Sequence, residues 1–137
     1  MNLKEFSKCK DSKYGEIANG YLEIKKSKFY SYIFNVNEID KVEEILKDIR
    51  KDNKKARHVV YAYNFTSKDN IKYSKFSNDN EPQGTGVNSI ISMLEKERVD
   101  DYLVVIVRYF GGTLLGAGPL LRSYLNSFKD AYEKLKK

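Results

Sequence analysis

Residues 103–107 are five consecutive apolar side chains, four of them β-branched, within the segment Tyr102–Tyr109. Such a run, which lacks a polar residue at every second position, predicts a strand with both faces buried. Four further segments of strand-forming composition are Ile17–Ile24, Lys28–Val36, Val59–Phe65 and Ile71–Phe76. Between the first two of them, Lys25-Lys26-Ser27 is expected to form a tight turn.

Apolar residues at helical spacing predict three helices that pack on this sheet. Asn37 is suited to cap the first helix. The second helix is marked by Val87, Ile90, Ile91 and Leu94, and the third runs from about Pro119 to Leu135. The apolar stripes of the first and third helices are Ile39, Val42, Ile45, Leu46 and Ile49, and Leu121, Tyr124, Leu125, Phe128, Tyr132 and Leu135.

The order of the predicted elements is strand, strand, helix, strand, strand, helix, strand, helix. This order predicts a two-layer α+β fold, in which one mixed β-sheet has its helices packed on one face. A chain of 137 residues suits a single domain with one hydrophobic core. Residues 1–14 are rich in lysine and lack periodicity, so we expect them to form a loose arm.

Charge and cysteine content limit the possible partners and the compartment. The 25 lysines and arginines exceed the 19 aspartates and glutamates, which gives a net charge of +6. This excess permits an acidic partner such as RNA but does not require one. The single cysteine, Cys9, cannot form an intrachain disulfide, and the N-terminal residues lack the apolar segment of a signal peptide. With no apolar run long enough to span a membrane, these features predict a cytoplasmic protein.

Four glycines within eight residues separate the Tyr102–Tyr109 strand from the last helix. A strand, a glycine loop and a helix N-terminus can together bind an anion through backbone N–H groups. Arg108 and Arg122, on either side of the loop, favour this interpretation. Tight packing of the strand against the helix explains the glycines equally well. The Gly-Lys-Ser/Thr of a P-loop is absent, and position 121 lacks the third glycine of a dinucleotide-binding fingerprint.

Candidate chemical groups outside the loop are few. His58 is the only histidine and the single cysteine lies in the arm, which excludes a zinc site of His and Cys ligands and disfavours a Ser-His-Asp triad. His58 either hydrogen-bonds a loop or contacts a ligand. Asp79 and Glu81 can bind a divalent cation, cap the following helix, or pair with Arg108 or Arg57. We expect Arg108, Asp79 and Glu81 to be spatial neighbours.

Three segments of the chain resemble the YigZ/IMPACT family in residue type and order. They are Val107-Arg108-Tyr109-Phe110-Gly111-Gly112, Leu115-Gly116-Ala117-Gly118 and Arg122-Ser123-Tyr124 around the glycine loop; Ala56, His58 and Tyr61-Ala62-Tyr63 on a strand; and Asp79, Glu81-Pro82 and Gly84-Thr85 in an acidic loop. The resemblance covers roughly residues 15–130. The chain departs from the family pattern in four places. Leu114 replaces the usual lysine, Asn80 the usual glycine and Pro119 a common glycine, and Gly86-Val87-Asn88-Ser89 stands where the family tends toward Ala-Gly and a later proline. The missing lysine weakens a phosphate-binding interpretation.

The resemblance implies the fold of the second domain of a small-subunit ribosomal protein, including a left-handed crossover. It also implies a link to translation, because eukaryotic relatives are translational regulators that bind a ribosome-associated activator of a kinase. Most bacterial relatives carry a ferredoxin-like domain after this one. Residues 1–137 are therefore expected to form a single IMPACT N-terminal-like domain without the ferredoxin-like domain.

These observations predict a non-enzymatic cytoplasmic protein linked to the regulation of translation, which binds RNA or the ribosome through a basic, glycine-loop surface. The expected contact residues are Arg57, His58, Arg108, Gly111, Gly112, Gly116 and Arg122, beside the acidic loop of Asp79, Glu81 and Thr85 and the cluster Lys51, Lys54, Lys55 and Arg57. No cofactor, metal or catalytic residue is predicted, and the oligomeric state is left open. One alternative is an enzyme or small-molecule binder that acts on a phosphorylated ligand at the glycine loop. The other is a module that binds only a protein partner in translation control.

Overall fold

A computed structural model of the protein describes residues 15–136, so the predicted arm at 1–14, with Cys9, lies outside the described residues. The elements are β1 (Glu16–Ile24), β2 (Ser27–Asn35), α1 (Ile39–Asp52), β3 (His58–Thr66), β4 (Lys72–Ser77), α2 (Asn88–Lys96), β5 (Tyr102–Tyr109) and α3 (Ala117–Leu135). Every predicted element is present, and each strand end lies within one residue of its predicted position. No helix of the described region combines the length and apolar composition that a membrane span requires.

The five strands form one sheet in the order β1-β2-β5-β3-β4. All four strand pairs are antiparallel, so the prediction of an α+β fold with a single sheet is confirmed and the mixed pairing is wrong. The reason is the position of β5, which lies between the β1–β2 and β3–β4 hairpins and runs opposite to both of its neighbours. Strands β2 and β3 are parallel to each other, but they never pair.

Helices cover both faces of the sheet, and the prediction that they pack on one face is wrong. Val104 and Ile106 of β5 belong to a core cluster that includes α2 and α3. The alternate residues Leu103, Val105 and Val107 belong to a second cluster, which includes α1. Since successive side chains of a strand point to opposite faces, a strand that is apolar at every position needs cover on both. The fold therefore has three layers, and the predicted burial of both faces of this strand is confirmed.

The positions of α1 and α2 fix the handedness of the two long connections. The β2–α1–β3 and β4–α2–β5 connections each join parallel strands across one intervening strand. The first connection crosses the sheet in one direction and the second crosses it in the other. Their starting strands, β2 and β4, also run in opposite directions. The two connections could therefore have the same handedness only if α1 and α2 lay on the same face of the sheet. Because α1 and α2 lie on opposite faces, one crossover is left-handed, against the general rule. The topology thus contains the left-handed crossover that the resemblance implies.

Two details of the helices differ from the predictions. The residue that caps α1 is Glu38 rather than Asn37, and it makes no side-chain hydrogen bond to the helix. In the first turn of α3 the buried leucine is Leu120, whereas Leu121 is half-buried. The period of the buried stripe was correct, but Leu120 and Leu121 are adjacent apolar residues, and helical spacing alone does not decide between them.

Strand β1 packs unusually close to α3, and a glycine makes this possible. A Cβ atom at Gly20 would lie 2.4 Å from the carbonyl oxygen of Ser127 and 2.6 Å from the amide nitrogen of Ala131. The hydroxyl of Ser31, on β2, donates a hydrogen bond of 2.6 Å to the same Ser127 carbonyl. This contact fixes the axis of α3 over β1 and β2, and thereby places the N-terminus of α3 at one end of the sheet.

Candidate functional site

A buried ionic cluster lies where β5, α3 and the loop after β4 meet. Nη1 of Arg108 donates hydrogen bonds of 2.9 and 2.8 Å to the two carboxylate oxygens of Glu81. Only 5% of Arg108 and 7% of Glu81 are exposed, so this ion pair is withdrawn from solvent. The predicted neighbourhood of Arg108 and the acidic loop is therefore confirmed for Glu81. Arg108 is therefore paired with an acidic residue, which was one of the two alternatives; the other was that it binds an anion.

Tyr124 of α3 completes the cluster by donating its hydroxyl to Glu81. Burial, reinforced by the charge of Glu81, raises the pKa of the Tyr124 phenol well above its ordinary value, so the group remains a proton donor. Helical spacing assigns Tyr124 only to the apolar stripe of α3, and the hydroxyl's partner was not predicted. The signal available was the Arg122-Ser123-Tyr124 segment of the family resemblance, which gave no role to the tyrosine.

His58 joins the cluster to the loop that carries Glu81. Its Nδ1 lies 2.6 Å from the backbone carbonyl oxygen of Asp79, and since a carbonyl only accepts, Nδ1 carries the hydrogen. Its Nε2 lies 3.4 Å from a carboxylate oxygen of Glu81. In the sheet, His58 stands opposite Arg108 on the neighbouring strand. Of the two roles left open for His58, the structure shows the hydrogen bond to a loop.

The acidic loop holds its shape through partners other than the predicted ones. The carboxylate of Asp79 accepts a hydrogen bond of 2.8 Å from the Val59 N–H at the start of β3. The side-chain oxygen of Asn78 accepts the N–H of Val87, the residue before α2, at 2.9 Å. Of the alternatives for the acidic loop, the structure shows the pairing with Arg108 and not a side-chain cap on α2. Within residues 15–136, no three His, Cys, Asp or Glu side chains are grouped so that they could hold a metal ion.

The departure at Asn80 from the family's usual glycine is explained by the backbone of this loop. Asp79 and Asn80 have φ angles of 47° and 64°, in the left-handed region. Asparagine and aspartate adopt that region more readily than other residues with a side chain. Asn80 therefore preserves the turn that a glycine would make. Beyond it, Thr85 is buried and donates a hydrogen bond of 2.6 Å to the Pro82 carbonyl.

Of the first two glycines in the loop after β5, Gly111 is required by close packing and Gly112 by its backbone conformation. A Cβ at Gly111 would lie 2.2 Å from the carbonyl carbon of Lys26 in the β1–β2 turn, and the Gly111 N–H donates to the Ser27 hydroxyl at 3.1 Å. Gly112 has a φ of 92°, a conformation that favours glycine. The loop ends at Gly116, the N-cap residue of α3, which has no side chain to hydrogen-bond the first turn of that helix.

Between this loop and the acidic loop lies a cleft of about 160 Å³, hereafter the Phe110 cleft. Its lining residues are Arg57, His58, Asn80, Glu81, Pro82, Arg108, Phe110, Leu114, Leu115 and Leu120. The Arg57 guanidinium lies 4.7 Å above the centre of the Phe110 ring. Phe110 is 37% and Leu114 79% exposed, so both remain accessible at the mouth of the cleft. A larger cleft of about 360 Å³ lies on the other side of Leu115, between β1 and α3, and includes Arg122.

The same end of the sheet carries a concentration of positive charge, hereafter the basic end. It comprises the exposed side chains of Lys25, Lys26, Lys28, Lys51, Lys54, Lys55, Arg57 and Arg122. They come from the β1–β2 turn, the start of β2, the end of α1, the segment before β3 and the first turns of α3. Exposed carboxylates at this end are Glu23, Asp52 and Asp79, so positive charge predominates. Of the predicted contact residues, Arg57 and Arg122 lie at this surface, whereas Arg108 lies beneath it.

Comparison with known proteins leads to the same family as the sequence motifs. A family model described as the Impact N-terminal domain matches residues 25–132. The chain belongs to this family. A relative from Bacillus subtilis, the IMPACT family member YvyE, is 36% identical over 107 residues, which are 78% of this chain and 48% of the relative. The chain spans about half the length of the curated bacterial relatives it matches.

Solved structures resemble this Impact N-terminal domain closely in fold. A crystal structure of a hypothetical protein superposes with a TM-score of 0.70 and 28% identity, over 83% of this chain and 57% of the other. A structure of the two-domain translational regulator Yih1 superposes with a TM-score of 0.57 and 20% identity, over 88% of this chain and 47% of the other. At that identity, the likeness to Yih1 concerns the fold.

Proposed function

We propose that this Impact N-terminal domain acts in the regulation of translation by binding RNA, free or within the ribosome, through the basic end. The observation that carries the proposal is the convergence of eight exposed lysines and arginines from five segments of the chain at one end of the sheet. Such a surface attracts phosphate groups and raises the rate of encounter with them. The translational setting is supported by the fold shared with the regulator Yih1. The proposal predicts that the protein acts in the cytoplasm, where translation takes place.

The proposal gives the arginines different tasks. Arg108 is buried, and its charge is compensated by Glu81, so it is unsuited to contact a phosphate directly. Arg57 and Arg122 are exposed on opposite sides of the loop after β5 and can each reach a phosphate. The Arg108–Glu81 pair instead holds the acidic loop against β5, which keeps Arg57 and the Phe110 ring in position. In this proposal, the exposed arginines contact the phosphates, and the buried Arg108–Glu81 pair keeps the surface beneath them rigid.

The proposal predicts that Lys54→Ala combined with Lys55→Ala weakens RNA binding for all sequences alike, because phosphate contacts carry no base preference. A contact with about four to six phosphates gives a log–log dependence of affinity on salt with a slope of about −3 to −4 for single strands. Loss of two phosphate contacts lowers the magnitude of that slope by about 1.4. Fluorescence anisotropy with two unrelated labelled RNAs at several salt concentrations measures both quantities.

The matched control removes two lysines from the opposite end of the sheet. Lys72, the first residue of β4, and Lys96, the last residue of α2, are both exposed there. Their replacement by alanine changes the net charge equally but is expected to leave the salt slope unchanged. If both pairs of substitutions lowered the RNA affinity equally, net charge alone would explain the effect, which would contradict a localised basic surface. Absence of binding at about 50 mM salt would refute RNA binding itself.

A further inference from the structure

We infer that the Phe110 cleft binds an unpaired base of single-stranded RNA, an inference that rests on the proposed function and adds a preference for single strands. The cleft opens within the basic end, next to Arg57, so a strand whose phosphates lie on that surface brings its bases to the cleft mouth. Two features of the cleft favour a base over a second phosphate. They are an aromatic platform and apolar side chains in the cleft wall.

The platform is the pair formed by Phe110 and Arg57. Their separation of 4.7 Å places the guanidinium over the ring face, a cation–π contact that holds both groups in place. Unpaired RNA bases bind proteins by stacking on aromatic rings and on planar guanidinium groups. Arg57 is exposed, so the guanidinium can meet a base on one side while the ring supports it on the other.

Part of the cleft wall is apolar, and two of the charges that line the cleft neutralise each other. Leu114, Leu115 and Pro82 line the cleft, and Leu114 is the most exposed large hydrophobic side chain among the described residues, at 79%. Arg108 and Glu81, which also line the cleft, compensate each other. Apolar surface beside a small number of polar groups is typical of sites for flat organic ligands.

The site selects unpaired bases. Bases inside a duplex are stacked on both faces and cannot offer a face to Arg57 or Phe110.

The test compares three RNA probes of equal length by fluorescence anisotropy. They are a single strand, the same strand annealed to its complement, and an oligomer with the same phosphates but without bases. Phe110→Ala is expected to weaken single-strand binding about 5- to 100-fold, since one stacked base contributes in this range, and to leave the other two probes unaffected. The matched control is Phe76→Ala, because Phe76 is 50% exposed but lies outside the cleft.

A substitution that preserves the ring provides a direct readout. The chain has no tryptophan, so Phe110→Trp introduces a single indole, whose fluorescence a stacked base quenches. This variant is expected to bind the single strand at least as tightly as the unaltered domain. Because Phe110→Trp keeps an aromatic ring, it also tests the cleft if Phe110→Ala fails to fold. Leu114→Ala provides a second test, since the exposed Leu114 side chain contributes little to the core.

The outcomes separate this inference from the proposed function. Salt-dependent binding of all three probes with equal affinity would overturn the base site and leave the basic end as an RNA-binding surface. An unchanged affinity of Phe110→Ala for the single strand would do the same. No binding of any probe would overturn both proposals. Quenching by a free mononucleotide as strong as that by the polymer would overturn RNA recognition and make the cleft a small-molecule site.

Discussion

Glu81→Gln is expected to lower the free energy of unfolding by about 3–5 kcal/mol, the usual cost of leaving one partner of a buried ion pair uncompensated. Glutamine retains the shape of Glu81 but not its charge, so Arg108 remains buried with no counter-ion. The amide nitrogen also brings donors to a site where Arg108 and Tyr124 both donate to the Glu81 carboxylate. Urea unfolding followed by circular dichroism measures the change as a shift of the midpoint.

The control is the same substitution at an exposed ion pair. Glu38 lies 3.9 Å from Lys68 with 51% of its side chain exposed, so Glu38→Gln is expected to cost less than about 1 kcal/mol. Arg108→Met should be less costly in the Glu81→Gln background than in the unaltered chain, because the two groups are coupled. A loss below about 1 kcal/mol for Glu81→Gln would contradict the buried pair, since it would mean that solvent reaches Arg108.

Gly111→Ala is expected to destabilise the fold by about 1–3 kcal/mol, the range for overpacking, and by more if the turn is displaced. The added methyl group would lie 2.2 Å from the carbonyl carbon of Lys26 and 2.3 Å from the amide nitrogen of Ser27. Both are backbone atoms, so no side-chain rotation relieves the clash. Thermal unfolding, with hydrogen exchange of the Gly111 and Ser27 amides, measures the loss and locates it.

Gly118→Ala is the matched control within the same glycine-rich segment. Its Cβ would lie 3.3 Å from the end of the Arg122 side chain, which is flexible and can move aside. Gly118 lies in the first turn of α3 directly before Pro119, so the higher helix propensity of alanine, up to about 1 kcal/mol, is opposed by contact between its Cβ and the proline ring. We therefore expect Gly118→Ala to change stability by less than about 1 kcal/mol. Equal destabilisation by both substitutions would contradict the view that close backbone packing explains Gly111.

The strands and helices were predictable because their hydrophobic periods are clear, but the layer arrangement was not inferred correctly. The run at residues 103–107 implied burial on both faces, and this alone required helices on both. The stripe of α1 shows only that one face of that helix is buried, not which face of the sheet it covers. The strand order also depends on contacts distant in sequence, so the antiparallel insertion of β5 could not be derived from local pattern.

In the candidate site, opposite charges in two separate segments were enough to anticipate the pairing of Arg108 with the acidic loop. They did not distinguish Asp79 from Glu81, because the left-handed backbone at Asp79 and Asn80 sends the two carboxylates to different partners. The hydroxyl of Tyr124 was missed because helical spacing reports burial and not hydrogen bonding. The Phe110 cleft was missed because it depends on the path of a loop, which has no sequence period.

The insertion of β5 between two hairpins delays closure of the sheet while the chain is being synthesised. Both hairpins are complete once Ser77 has been added, whereas β5 ends at Tyr109. At about 5–20 residues per second, this interval lasts about 2–6 s. Throughout it, the inner edges of β2 and β3 expose unpaired N–H and C=O groups to other nascent chains. The newly made domain is therefore most prone to aggregate before its central strand emerges.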